Sequence, residues 1–284
     1  MVKLFLKIYP TIMTNTDTTI IANTDIKDKR IALIGAGNVA QHLGPELIKS
    51  GLNLCQIYSR TNKSARDFGE KTGIAYTSNI DEIYKDCDIY IFCIKDDALK
   101  DFLINLNINK EALLLHTSGS LPISIFENYS SNYGNIYPLQ TFSKERELSF
   151  KNIPICIEGS SKKVENIILF IARNLSCDVR VLNFSARKKL HLAAVFACNF
   201  VNSMYSMADE LLTEDDISFD ILYPLIEETA KKIKTMSPID AQTGPAVRGD
   251  KNIMSAHKDL LKNKPELREL YEIISKFINS RSIY

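Results

Sequence analysis

Short runs of β-branched and aliphatic residues recur along the first two thirds of the chain, at 30–34, 54–58, 88–94, 112–116, 135–138, 153–157 and 178–182. Helical spacing separates most of them, at 39–49, 64–72, 98–103 and 162–175. In the last of these Val164, Ile167, Ile168, Ile171 and Leu175 fall on one face. Strand and helix in alternation predict an α/β fold with a mainly parallel sheet covered on both sides. Beyond Leu182 the strand runs stop. Helical patterns follow at 185–212, 219–236, 250–262 and 265–278, with Ser185 and Asp250 placed to cap two of them. The expected plan is a polar leader over 1–27, an α/β domain over 28–183 and an all-helical domain over 184–284.

The first apolar run, Ile31–Ile34, leads straight into Gly35-Ala36-Gly37-Asn38-Val39-Ala40, and a helix pattern follows. In G-x-G-x-x-A after a strand, the first glycine makes the tight turn and the second admits a pyrophosphate to the backbone. The small Ala40 allows close helix–strand packing, and the helix amino terminus offers free N–H groups to the anion. This is the pattern of a Rossmann-type dinucleotide site. An NAD site usually carries an Asp or Glu at the end of the second strand, for the ribose hydroxyls. Here the second run ends in Ser59-Arg60-Thr61-Asn62-Lys63, which offers a hydroxyl and two cations. Arg60 is suited to a fork on a 2′-phosphate and Lys63 adds charge, so the expected cofactor is NADP(H); a solvated basic loop is the plainer alternative. Cys93 and Ile94, closing the third run, are expected along the cofactor with Gly35, Ala36, Gly37, Asn38 and Val39.

Composition narrows the partners. Apolar residues make up 45% and charged residues 24%, and the formal net charge is +1. That balance gives no electrostatic case for nucleic acid. No apolar run approaches the roughly 18–20 residues of a membrane span. The amino-terminal stretch is broken by Lys7 and Pro10 and is not read as an export signal, and Met13 offers a second start. Six cysteines without a C-x-x-C pair read as reduced, buried thiols of a cytoplasmic protein, and no metal site is expected.

Two further stretches carry candidate chemistry. The fourth run ends in His116-Thr117-Ser118-Gly119-Ser120, where a sheet of this kind binds its ligands. His116 is either a reacting group or a strand-end histidine held by backbone. On the helix at 185–212, Lys188, His191, Asn199, Asn202 and Ser206 share a sector of roughly 80° at uniform α spacing. Short amides in its middle fit a cleft wall better than a solvated face. The loop Ala241-Gln242-Thr243-Gly244-Pro245 runs on to Arg248, which either holds a substrate carboxylate or forms a structural ion pair.

With Tyr137-Pro138-Leu139-Gln140-Thr141-Phe142 and His191–Phe200, these motifs resemble the Rossmann-like proteins that carry the DUF2520 domain, over 31–261. That group is similar in plan to pyrroline-5-carboxylate reductase, ketopantoate reductase, prephenate dehydrogenase and the β-hydroxyacid dehydrogenases. The resemblance implies substrate binding between a cofactor domain and a helical domain, a homodimer joined through the latter, and hydride transfer with a small carbonyl or imine substrate bearing a carboxylate. His116 and His191 are then the candidate acid/base groups. Lys188 is a third, by analogy with a dehydrogenase lysine that an asparagine follows four residues later, where this chain has Leu192. Ser118, Gln140, Asn199, Asn202, Gln242 and Thr243 would orient the substrate and Arg248 would hold its acid group. The alternative is a non-catalytic NADP(H)-binding redox sensor.

Overall fold

Strands β1 (Ile31–Ile34), β4 (Ile89–Phe92) and β5 (Leu113–His116) are buried at every position. Both faces of these strands are covered, which is why they read as unbroken apolar runs. In the computed structural model, which describes residues 26–281, they lie at the centre of an eight-stranded sheet of order β3-β2-β1-β4-β5-β6-β7-β8. The others are β2 (Leu54–Tyr58), β3 (Ala75–Thr77), β6 (Asn132–Pro138), β7 (Ile155–Gly159) and β8 (Val179–Val181). All neighbours pair in parallel except β6 and β7, which are antiparallel. The β3 edge is absent from the sequence expectation: three residues, two of them exposed, carry no alternation to detect.

Alternate strand residues feed two cores. Leu33, Ile57, Ile91, Leu115 and Ile157 pack with Leu43 and Leu47 of α1 (Asn38–Lys49), Phe68 of α2 (Asn62–Thr72) and Ile168 and Ile171 of α4 (Lys162–Leu175). Ala32, Ile34, Tyr90, Phe92 and Leu114 point the other way. They pack with Leu99 and Leu103 of α3 (Asp96–Ile104) and with Phe126. The period of two thus divides one set of strands between two helical layers. Most of the expected leader lies outside the described residues, but Ile26 at its end is 3% exposed and belongs to the first core.

The chain forms two compact units, the first ending at Ala194 and the second beginning at Val195. Helix α5 (Phe184–Ala194) therefore groups with the sheet, beyond the break expected near residue 183. The single long helix expected over 185–212 is instead α5, six residues of π geometry at Val195–Phe200, and α6 (Val201–Thr213). The second unit holds α6, α7 (Tyr223–Lys232), the one-turn α8 (Pro245–Arg248), α9 (Lys251–Leu260) and α10 (Pro265–Arg281). No helix among the described residues is long and apolar enough to cross a membrane.

Candidate active site

The glycine loop sits at the carboxyl end of β1, beside the place where strand order reverses between β1 and β4. Gly35 has φ +107°, and a Cβ there would lie 2.5 Å from the Cys93 carbonyl oxygen and 2.8 Å from Ile94 Cγ2. No other residue fits that turn. At Gly37 a Cβ would meet only the Cys93 carbonyl oxygen, at 3.9 Å, so space in front of this residue is open. Ala36 is buried, Gly37 and Asn38 are exposed, and Val39 is half-buried. No acidic residue occupies the first turn of α1, and no side chain caps it. The loop therefore presents an open helix amino terminus to an anion, as a dinucleotide pyrophosphate requires. Asn38 is directed elsewhere: its Nδ2 donates to the Phe142 carbonyl at 2.9 Å. At the end of β2, the Ser59 N–H is tied to the Thr77 carbonyl, while Arg60 and Lys63 are exposed. Neither cation has an ion-pair partner among the described residues.

The turn after β5 is built differently from the sequence expectation. His116 is 1% exposed. Its Nδ1 accepts from the Ser118 N–H at 3.2 Å and from Asn135 Nδ2 at 3.0 Å. With Nδ1 an acceptor for both, the ring is neutral and carries its proton on Nε2, which is buried without a well-formed hydrogen bond. Burial, joined by the nearby Arg187 cation, pushes this histidine down to about 3, against a smaller opposing effect of the Pro122 carbonyl. A buried ring held neutral is a poorer candidate for proton transfer than an accessible one, which favours the strand-end alternative for His116. Ser118 is equally committed. Its hydroxyl donates to Asp96 Oδ2 at 2.8 Å and accepts from the N–H groups of Ser120 and Leu121 at 2.9 and 3.1 Å.

What faces this turn is His191. A Cβ on Gly119 would fall 2.7 Å from His191 Nδ1, so the imidazole packs directly on the glycine. Nδ1 of His191 lies 3.0 Å from the hydroxyl of Tyr137, near the end of β6, with the rings edge to face. Burial pushes the Tyr137 phenol up to about 12, partly offset by Arg187. Helix α5 is held in place by Arg187, which has no exposed side chain. It forms an ion pair with Glu158 of β7 and donates from NH2 to the Leu121 carbonyl at 2.6 Å. Glu158 also accepts from the Phe184 N–H at 3.0 Å, capping α5. Lys188, one residue on, is exposed. Gln140 is exposed, its Oε1 accepting from the Thr141 N–H at 2.8 Å.

In the second unit Asn199 and Asn202 are exposed, the first within the π segment. That segment corrects the polar stripe. Residues in i→i+5 geometry advance less per residue than α-helical ones, so six of them set the spacing back by roughly one position. The uniform α spacing on which the shared sector rests therefore does not hold. Gln242 and Thr243 are exposed on the loop before α8. Arg248 is engaged with Asp250, at 2.8 Å from NH2 and 3.0 Å from Nε, so its structural ion pair is the arrangement observed.

The family described as domain of unknown function DUF2520 matches residues 153–278, and the family described as coenzyme F420-dependent NADP oxidoreductase matches residues 30–118. A protein of Bacteroides fragilis, assigned as an NADP oxidoreductase, is 43% identical, with 90% of this chain and 99% of that one covered and a TM-score of 0.86. The chain belongs to the DUF2520 family. A second solved relative, from Thermotoga maritima, shares the fold at 24% identity and a TM-score of 0.75, covering 89% of this chain and all of that one. Pyrroline-5-carboxylate reductase of Arabidopsis thaliana is 24% identical over 108 residues, a match spanning 36% of this chain and 38% of that enzyme.

In this DUF2520 member Tyr137 and Arg187 are the site residues that sequence reasoning passed over. Tyr137 lies inside a motif used for family resemblance, and nothing local pairs it with His191, 54 residues on. Arg187 looks like one of three solvated cations in Arg187-Lys188-Lys189, and only the tertiary fold separates it from its neighbours. The cysteine expectation also changes: Cys87 and Cys156 are buried, Cys55 and Cys93 half-buried, and Cys177 and Cys198 exposed. No metal-binding cluster exists among the described residues.

Proposed function

We propose that this protein is an oxidoreductase whose cofactor is NADP(H) and whose substrate is a small carbonyl or imine compound bearing a carboxylate. The open glycine loop, the unpaired Arg60 and Lys63, and the NADP named for the B. fragilis relative support the cofactor. Bound NADPH supplies a hydride; this chain must position the acceptor and manage a proton. The observation that carries the reading is the Tyr137–His191 pair at 3.0 Å, set on Gly119 at the carboxyl ends of β5 and β6. Ligands of such sheets bind at that end.

His191 is the acid/base group in this proposal. Its Nδ1 is held by Tyr137, which fixes the ring and leaves Nε2 for the substrate. His116 is a positioning residue that sets the turn under Gly119. Ser118 acts through the same turn, Lys188 lends charge from α5, and Gln140 lies beyond β6 as a substrate contact. Asn199, Asn202, Gln242 and Thr243 are exposed polar groups of the second unit. Arg248 serves the carboxylate only by exchanging it for Asp250. We further propose a cytoplasmic homodimer joined through the helical unit.

The test is NADPH oxidation against a panel of small 2-oxo acids and cyclic imino acids. Turnover by the native protein, with loss of about 100-fold or more in His191→Ala at unchanged NADPH affinity, supports the reading. NADPH binding without turnover across the panel and across metabolite extracts favours the sensor instead.

A further inference from the structure

We propose that Cys55 and Cys87 form a dithiol site that a hydroperoxide oxidises to an internal disulfide. Their Sγ atoms are 3.4 Å apart. A disulfide needs about 2.05 Å, so the approach required is roughly 1.4 Å. The two residues do not come from neighbouring strands: β1 lies between β2, which carries Cys55, and the segment entering β4, which carries Cys87. A bulge brings them together. Ile31 pairs with Leu54 and Ala32 with Gln56, leaving Cys55 as the extra residue. Bulges re-aim side chains, and the Cys55 thiol reaches the Ile31 carbonyl at 3.3 Å as well as Cys87.

The surroundings favour a thiolate at Cys55. The hydrogen bond from Cys87 lowers its thiol to about 7, against burial and with the Arg30 guanidinium assisting, while Cys87 itself is pushed up. Cys55 is half-buried and Cys87 is buried behind it. That arrangement gives an attacking and a resolving sulfur. The Cys55 thiolate attacks one peroxide oxygen and the O–O bond breaks, releasing water or an alcohol and leaving a sulfenic acid. Cys87 attacks the sulfenic sulfur, the S–S bond forms, the S–O bond breaks and water departs. The two thiols lose two electrons and the peroxide gains them.

This site lies at the opposite ends of the strands from the glycine loop, so it stands independently of the proposed activity. The test uses the full native chain treated with hydrogen peroxide, then digested with trypsin without reductant. Peptides 50–60 and 86–95 are expected linked, at about 2 Da below their summed masses, and separated by dithiothreitol. Peptide 86–95 also contains Cys93, so fragment ions must place the bond on Cys87. In Cys87→Ser the link should vanish and Cys55 should be trapped as sulfenic acid by dimedone. A link through Cys93, or oxidation of Cys177 and Cys198 with no link at Cys55, overturns the proposal.

Discussion

Acidification offers a direct test of His116 as a buried, neutral positioning residue. Its ordinary value of 6.5 is lowered to about 3 in the fold. Between these values the unfolded chain binds a proton that the native ring refuses, so stability is full above pH 6.5 and is lost as pH falls toward 3. At pH about 4.5 the deficit spans roughly two pH units, worth about 3 kcal/mol. With a urea slope of about 2–3 kcal/mol/M, the midpoint should drop by roughly 1 M from this group alone. The assay is urea unfolding at pH 7 and 4.5 for the native protein and for His116→Gln, which removes the titration. His116→Gln should lose stability at both pH values yet show the smaller fall between them. Its NADPH oxidation should persist, because His191 and Tyr137 are left in place. Equal falls in the two proteins, or loss of NADPH oxidation in His116→Gln, would refute the argument.

Gly119→Ala places a methyl 2.7–2.9 Å from three atoms of His191, so the ring must move by about 1 Å; activity should fall about 100-fold and stability by about 1–3 kcal/mol, read by steady-state kinetics and thermal melting. Arg187→Met leaves Glu158 without its buried partner and should cost about 3–5 kcal/mol, part of which Glu158→Gln in the same chain should restore in urea titrations. Arg60→Ala should weaken NADPH binding about 10- to 100-fold, leave NADH binding unchanged and shift stability by less than about 0.5 kcal/mol, because Arg60 is exposed without an ion-pair partner. Nicotinamide fluorescence titration checks the first two expectations and thermal melting the third.

The parts of this fold that were legible in the sequence are those whose cause is local. Strands covered on both faces must be apolar at every position, and the turn into α1 admits only glycine at position 35. Both leave marks within a few residues. The parts that were not legible have the opposite character. His116 looks reactive because it ends a strand, but its chemistry is set by Asn135 from the next strand and Arg187 from α5. The π segment at Val195–Phe200 breaks the spacing that a helical wheel assumes, and its six residues show no glycine or proline to announce it.

The same contrast explains why the two histidines exchange weight. Sequence placed His116 and His191 on equal terms, since both are titratable residues beside small polar ones. In the fold each ring is held by a residue to which sequence assigned no role in the site. Asn135, 19 positions from His116, holds the first ring as a neutral acceptor. Tyr137, two residues further along the same strand, holds the second. Strand alternation sends Asn135 and Tyr137 to the same face of β6, so one strand fixes both rings, one fully buried and one at the margin. A substitution that slipped β6 by one residue would therefore disable both at once, whereas His116→Gln leaves Tyr137 and its partner in register.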